Sequence, residues 1–332
     1  MFRALPLIII LVVGAFVLIF FIVRSLLFPQ HAESLPGLIK TGRTQAAIRA
    51  AKRIIAKNPR NAEARYCLGL AYHREKREEL ALAELKTVLN LGIKEKNIPE
   101  VEFRELLAQL YAGQNEGEEA LKEYLLLIKL IPTHADYYYQ AGKLFNERNK
   151  TDMAARCLGK AAELNPRDGN IHCELGIILY KEKKAQEANA ALNVALKHLR
   201  ENQERAHYYL GKIKKDAKDY AAAAESFEKA ARSGEFKVRA LVEKGGCHLA
   251  QGAADRALAD LEQAVQAITD ESSPESLYAR YFLGNCYESV KEMDKAIAQW
   301  DKVYAKKKNF RDVGEKLIRY QQYRSAAPAQ RA

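Results

Sequence analysis

The chain has 332 residues, 29% charged and 48% hydrophobic, with a formal net charge of +11. That is ample apolar material for a packed body, and the basic balance suits acidic protein, anionic lipid or nucleic acid as a partner. Five cysteines, odd in number and without a C-x-x-C pair, argue against a disulfide framework or a zinc site and lean toward a reducing compartment.

Residues 4–23, ALPLIIILVVGAFVLIFFIV, carry no charge, and sixteen of the twenty are Leu, Ile, Val or Phe. As a helix this run spans about 30 Å, the thickness of a bilayer core. At centre-of-membrane values it gains roughly −5 to −10 kcal/mol on insertion, an upper estimate. It is too long for a signal-peptide core, and no A-x-A-like site follows it. The expectation is a single-pass anchor in the plasma (inner) membrane. Basic residues Arg24, Lys40, Arg43, Arg49, Lys52 and Arg53 follow the span, against Arg3 before it. That slight excess places the rest of the chain on the cytoplasmic side, with the periplasm as the alternative.

Residues 24–43, with Pro29, Pro36, Gly37 and Gly42, read as a juxtamembrane linker. Helical periodicity begins at Thr44, and residues 45–59 read as the second helix of a degenerate first repeat ending at Pro59.

The segment from Thr133 to Pro166 gives the plainest copy of the unit that follows. Tyr138, Ala141, Gly142 and Phe145 share one face of a first helix; Ala154, Leu158 and Ala161 share one face of a second, stopped by Pro166. Two antiparallel helices so spelled approach closely where Gly142 meets Ala154, with large residues above and below. The same pattern recurs around Gly69 and Ala81, Ala108 and Ala120, Gly176 and Ala188, Gly211 and Ala223, Gly245 and Ala257, and Gly284 and Ala296. Polar insertions at residues 93–100 and 269–275 lengthen two of the steps, as inter-repeat loops do. One helix pair cannot bury both of its faces, so the copies must stack.

Large, small, aromatic, then Ala, large, Ala, Pro resembles the tetratricopeptide repeat (TPR) over about residues 44–324. The resemblance implies an all-α helix-turn-helix solenoid, a right-handed superhelix, over residues 44–308, with a half repeat and about seven full ones. Residues 309–324 then read as a C-terminal capping helix and 325–332 as a disordered tail.

The sequence holds no phosphate-loop, dinucleotide-binding or nucleophile-elbow motif, and its seven histidines have no metal-ligand spacing. No enzyme activity, cofactor or metal is expected. The cysteines fall where small buried side chains pack, and the basic runs Lys181–Lys184, Lys212–Lys215 and Lys306–Lys308 read as solvated helix ends. They form no continuous stripe, so nucleic acid is not an expected partner.

In TPR stacks the first helices line a concave groove. The stripe one residue beyond the core stripe gives Tyr66; Tyr139, Lys143 and Asn146; Tyr180; Tyr208, Lys212 and Lys215; and Tyr281 and Asn285 as candidate partner-binding residues. Tyr supplies contact area and a hydroxyl, and Lys adds charge. Such a groove suits a protein or peptide with apolar and acidic side chains. The alternative is that the tyrosines pack against the neighbouring repeat. The Lys and Asn set of the chaperone-tail carboxylate clamp is not supplied by any three consecutive repeats.

The resemblance implies a membrane-tethered scaffold or adaptor in assembly of an envelope complex, similar to anchored bacterial TPR assembly factors. The C-terminal C-x-x-C pair of the group that regulates lipopolysaccharide synthesis is missing. A structural subunit, such as that of a spirochaete flagellar collar, is the alternative. An enzyme with an unrecognised site formed across repeats is the contrasting class.

Overall fold

The computed structural model describes residues 16–19, 34–93, 97–232 and 234–326, with side chains to residue 320. The expected anchor at 4–23 lies outside the described residues except for Phe16–Ile19, four helical residues with exposed side chains. Among the described residues no helix is long and apolar enough to cross a membrane. The described residues contain helices and turns without strands.

Two compact units are present, Met1–Leu144 and Phe145–Ala332. The first holds α1 (Leu35–Lys40), α2 (Thr44–Lys57), α3 (Ala62–Arg74), α4 (Glu78–Leu91), α5 (Glu100–Gly113), α6 (Gly117–Leu130) and most of α7 (Ala135–Glu147). Residues 35–40, expected as linker, form α1 because Pro36 suits the first helical turn and Leu35 and Ile39 lie one turn apart, both buried. Arg74 ties α3 back to the Ile39 carbonyl, and Thr44 donates to Glu75 at 3.0 Å. The insertion before α5 buries Ile98.

The second unit continues with α8 (Thr151–Leu164), α9 (Gly169–Lys181), α10 (Ala185–His198), α11 (Glu204–Asp216), α12 (Tyr220–Ala230) and α13 (Gly234–Ala250). It closes with α14 (Ala254–Gln266), α15 (Pro274–Ser289), α16 (Met293–Lys306) and α17 (Val313–Ala326). Side-chain caps begin several helices: Asn61, Asp168, Asp219 and Ser273 each accept from a backbone N–H in the first turn. On α17, Val313 and Leu317 are buried while Ile318 is 59% exposed, so one face seals the last repeat and the other is wet.

The second-helix alanines of all seven repeats, from Ala81 to Ala296, are fully buried. The close approach differs in detail from glycine against alanine. A Cβ at Gly69, Gly176 or Gly245 would meet the Leu sixteen residues on (Leu85, Leu192 or Leu261) at 2.6–2.9 Å, and the alanine carbonyl only at 3.2–3.4 Å. At Gly211 and Gly284 the large partner is Phe227 and Trp300. The glycine makes room for a bulky side chain of the second helix, while the alanine lets backbone approach from behind it.

Each first helix ends alike. Lys76, Asn115, Asn149, Lys183, Lys218, Gly252 and Lys291 have positive φ, and the next residue's N–H bonds a carbonyl five residues back, as in Arg77 to Tyr72 and Glu292 to Tyr287. Lys183, in one of the basic runs read as solvated helix ends, occupies such a position and is exposed.

Candidate functional site

The second unit carries a concave pocket of about 470 Å³ built from three successive first helices and the turn after the last repeat. α11 contributes Tyr208 and Lys215; α13 contributes Val238, Arg239, Val242, Glu243 and Gly246; α15 contributes Pro274, Glu275, Tyr278 and Phe282. Arg311, from the turn before α17, closes one end. The volume falls in the range of ligand sites.

Local sequence explains how these side chains converge. α13 and α15 run 17 and 16 residues, against 13 in α11; the added N-terminal turn of α15 supplies Glu275, while Arg239 and Tyr278 stand six residues before Gly245 and Gly284, the position that Arg205 holds before Gly211. Pro274 follows the capping Ser273 and sets the start of α15 inside the pocket rim. Gly246 lies mid-helix, where glycine costs about 0.5–1 kcal/mol relative to alanine. Only Lys215 Nζ, at 3.7 Å, would face a Cβ there, so the residue leaves the pocket floor bare without relieving a clash.

The charges are mostly paired. Lys215 Nζ lies 2.5 Å and Lys212 Nζ 3.2 Å from Glu243, a carboxylate between two cations. Burial pushes the Glu243 carboxyl up, but the hydrogen bonds and charges of Lys215 and Lys212 outweigh it and hold it below the usual range. Arg239 grips Glu275, its Nε donating at 2.7 Å, and the hydrogen bond lowers the Glu275 carboxyl. Arg311 instead sits over three aromatic rings, 5.3, 5.1 and 5.4 Å from the centroids of Tyr278, Tyr281 and Phe282. Its φ is 50°, and its turn is pinned on both sides. Phe310 is buried against Tyr278 and Tyr281, and Tyr281 Oη donates to Asp312 at 2.8 Å.

Sequence comparison matches residues 36–98, 139–206 and 208–273 to the tetratricopeptide repeat, more than half of the chain. The chain belongs to the TPR family. Among solved structures it resembles the Cut9–Hcn1 hetero-tetramer of the APC/C at TM-score 0.54 and 15% identity, covering 83% of this chain and 62% of that one. MamA (residue 41 to the end) from Desulfovibrio magneticus RS-1 follows at TM-score 0.46 and 20% identity, covering 53% of this chain and 97% of that one. YrrB, described as a TPR protein with an unusual peptide-binding site, gives TM-score 0.47 and 20% identity, covering 58% and 96%. At these identities the likeness is one of fold. Comparison with curated protein sequences finds no match.

The TPR groove stripe read from sequence divides into three groups. Tyr66 and Tyr281 are buried, 6% and 7% exposed; Tyr66 packs on Phe103 of the next repeat, and burial raises its hydroxyl to about 12. These two take the packing role that was the alternative for the tyrosines. A second group is half-buried and satisfied within the array. Tyr180 donates to Asp216 at 2.7 Å, Asn146 accepts from Lys181 at 2.8 Å, and Asn285 accepts from Trp300 at 3.2 Å. Lys143 lies 5.5 Å from the Tyr139 ring centroid, and this pair belongs to the first unit. Only Tyr208 and Lys215 of the predicted set line the pocket, with Lys212 behind them on Glu243. Arg239, Glu243, Glu275, Tyr278, Phe282 and Arg311 were not in the stripe.

Elsewhere the chemistry is structural. The five cysteines are free thiols, and burial raises Cys173 and Cys247 to about 11 and Cys67 to about 12, so they stay protonated and unreactive near neutrality. Lys244, placed where the repeat expects a large apolar residue, bonds Glu228 and Asp260, and Asp260 also holds His248 at 2.7 Å. Among the described residues no cluster of three or more His, Cys, Asp or Glu could hold a metal.

Proposed function

We propose that this TPR chain is a membrane-tethered, non-enzymatic scaffold whose second unit captures a partner protein on its first-helix face. The observation that carries the reading is the α11–α13–α15 pocket, apolar at Val238, Val242 and Phe282 and ringed by more cations than carboxylates. TPR arrays generally serve protein interaction, and this pocket has contact area and charge without a nucleophile poised beside a base. The tether is residues 4–23, whose apolar run meets the length of a bilayer core. Tethering concentrates the array at the bilayer, so a modest groove affinity suffices for capture. The cytoplasmic side follows from the basic residues after the span, and a role in assembling an envelope complex fits this layout.

Site-specific photo-crosslinking in cells tests both parts. A photoreactive residue replacing Tyr278, 42% exposed on the pocket rim, is expected to form discrete protein adducts in the carbonate-washed membrane fraction. One replacing the exposed Arg156 of α8 is expected to form none. The same adducts from both positions would sink the groove, and full release of the chain by carbonate would sink the tether.

A further inference from the structure

Resting on that reading of the face, we infer that the pocket recognises a partner segment in which an acidic side chain neighbours a bulky apolar one, with Arg311 as the carboxylate's counter-charge. Three cations and two carboxylates line the pocket. Both carboxylates are already engaged, Glu275 by Arg239 and Glu243 by Lys212 and Lys215. Arg311 is left with aromatic faces, and has no hydrogen bond or ion pair among the described residues. A guanidinium stacked on rings keeps its N–H donors available, and their fork matches a carboxylate.

The turn is built to hold that cation in place. Phe310 is inserted among the α15 aromatics, Asp312 is tied to Tyr281, and Arg311 between them has little freedom left to lose. Beside it, Phe282 and Val242 provide an apolar floor that Gly246 keeps open. A ligand carboxylate at Arg311 therefore brings an adjacent side chain over that floor. The uncompensated positive charge selects acidic over neutral segments.

The test uses the detergent-solubilised full chain and hexapeptides of alternating leucine with either glutamate or glutamine, each carrying a neutral dye. Fluorescence anisotropy is expected to show tighter binding of the glutamate peptide. Arg311→Gln should weaken it about tenfold or more and leave the glutamine peptide unchanged, while Arg311→Lys recovers part of the loss. Gly246→Leu should abolish binding of both, and Lys129→Gln, on α6, should change neither. Circular dichroism confirms that each variant is folded. The inference is overturned if Arg311→Gln binds the glutamate peptide like the parent chain, if the two peptides bind equally, or if neither binds at about 1 mM. Equal binding that is lost in Gly246→Leu removes the carboxylate subsite and keeps the groove. Binding that survives Gly246→Leu removes the groove from this face as well, and where neither peptide binds, the Tyr278 adducts decide the groove separately.

Discussion

A methyl group added at Gly211 and one added at Gly246 meet opposite surroundings, although both glycines lie on first helices of adjacent repeats. At Gly211 the new atom would sit 2.6 Å from Cε1 and 2.7 Å from Cδ1 of Phe227, a fully buried ring. The ring cannot retreat, so Gly211→Ala should cost about 1–3 kcal/mol. At Gly246 the nearest atom is the mobile tip of Lys215, at 3.7 Å. There Gly246→Ala should gain up to about 0.5–1 kcal/mol from the helix backbone. Urea melts of the two variants should shift in opposite directions; a shared sign would contradict either the close packing at Gly211 or the open floor at Gly246. The sequence made the small residue visible but not its neighbour. Spacing placed alanine twelve residues on, and only the packed helices show that the residue sixteen on fills the gap.

Helix ends carry the second kind of information. Seven first helices terminate in a residue with positive φ, and at six of them that residue is Lys or Asn rather than glycine. Gly252 is the exception, with φ of 75° and open space around its Cα. Gly252→Ala therefore isolates the conformational cost of the left-handed backbone, about 1 kcal/mol destabilising. Gly159, inside α8 with nothing near a Cβ, isolates the reverse, and Gly159→Ala should stabilise by about 0.5–1 kcal/mol. Thermal melts that ranked the two variants the other way would refute the turn assignment. The repeat register was legible in sequence because Gly or Ala and the alanine twelve residues later recur through every copy. The pocket was not, because it depends on departures from the stripe. The longer α15 adds Glu275; Arg239 and Tyr278 stand three residues before the stripe on α13 and α15, and the segment read as a cap contributes Arg311. A stripe copied from one repeat to the next passes over residues one turn away from it, and over residues such as Glu275 and Arg311 that one repeat adds.

Across the molecule, the tyrosines serve as mortar between repeats as much as contacts for a partner. Burial raises the hydroxyls of Tyr66, Tyr124 and Tyr208 to about 12, and raises Tyr111 and Tyr209 as well. For Tyr137, Tyr180 and Tyr287, burial acts together with hydrogen bonds to Glu105, Asp216 and Glu262, which hold the phenols protonated. Unfolded tyrosine ionises near 10. Above that pH the unfolded chain has released protons that the folded chain retains, so the linkage slope is negative. The stabilisation is complete below about pH 10 and is lost as pH rises toward about 12. The chain should therefore lose Tm steeply in this window, with tyrosinate absorbance rising together with the loss of helical dichroism. Lysine deprotonation breaks ion pairs over the same range, so a specific control is needed. Tyr66 and Tyr124 have no hydroxyl hydrogen bond among the described residues, which makes phenylalanine a close substitute at both. The Tyr66→Phe, Tyr124→Phe double variant should match the parent chain near pH 8 and retain a higher Tm at pH 11, because its buried rings have no proton to lose. Identical Tm profiles for parent and variant through the alkaline range would show that the lysines, and not the tyrosine seams, set the alkaline limit of the array.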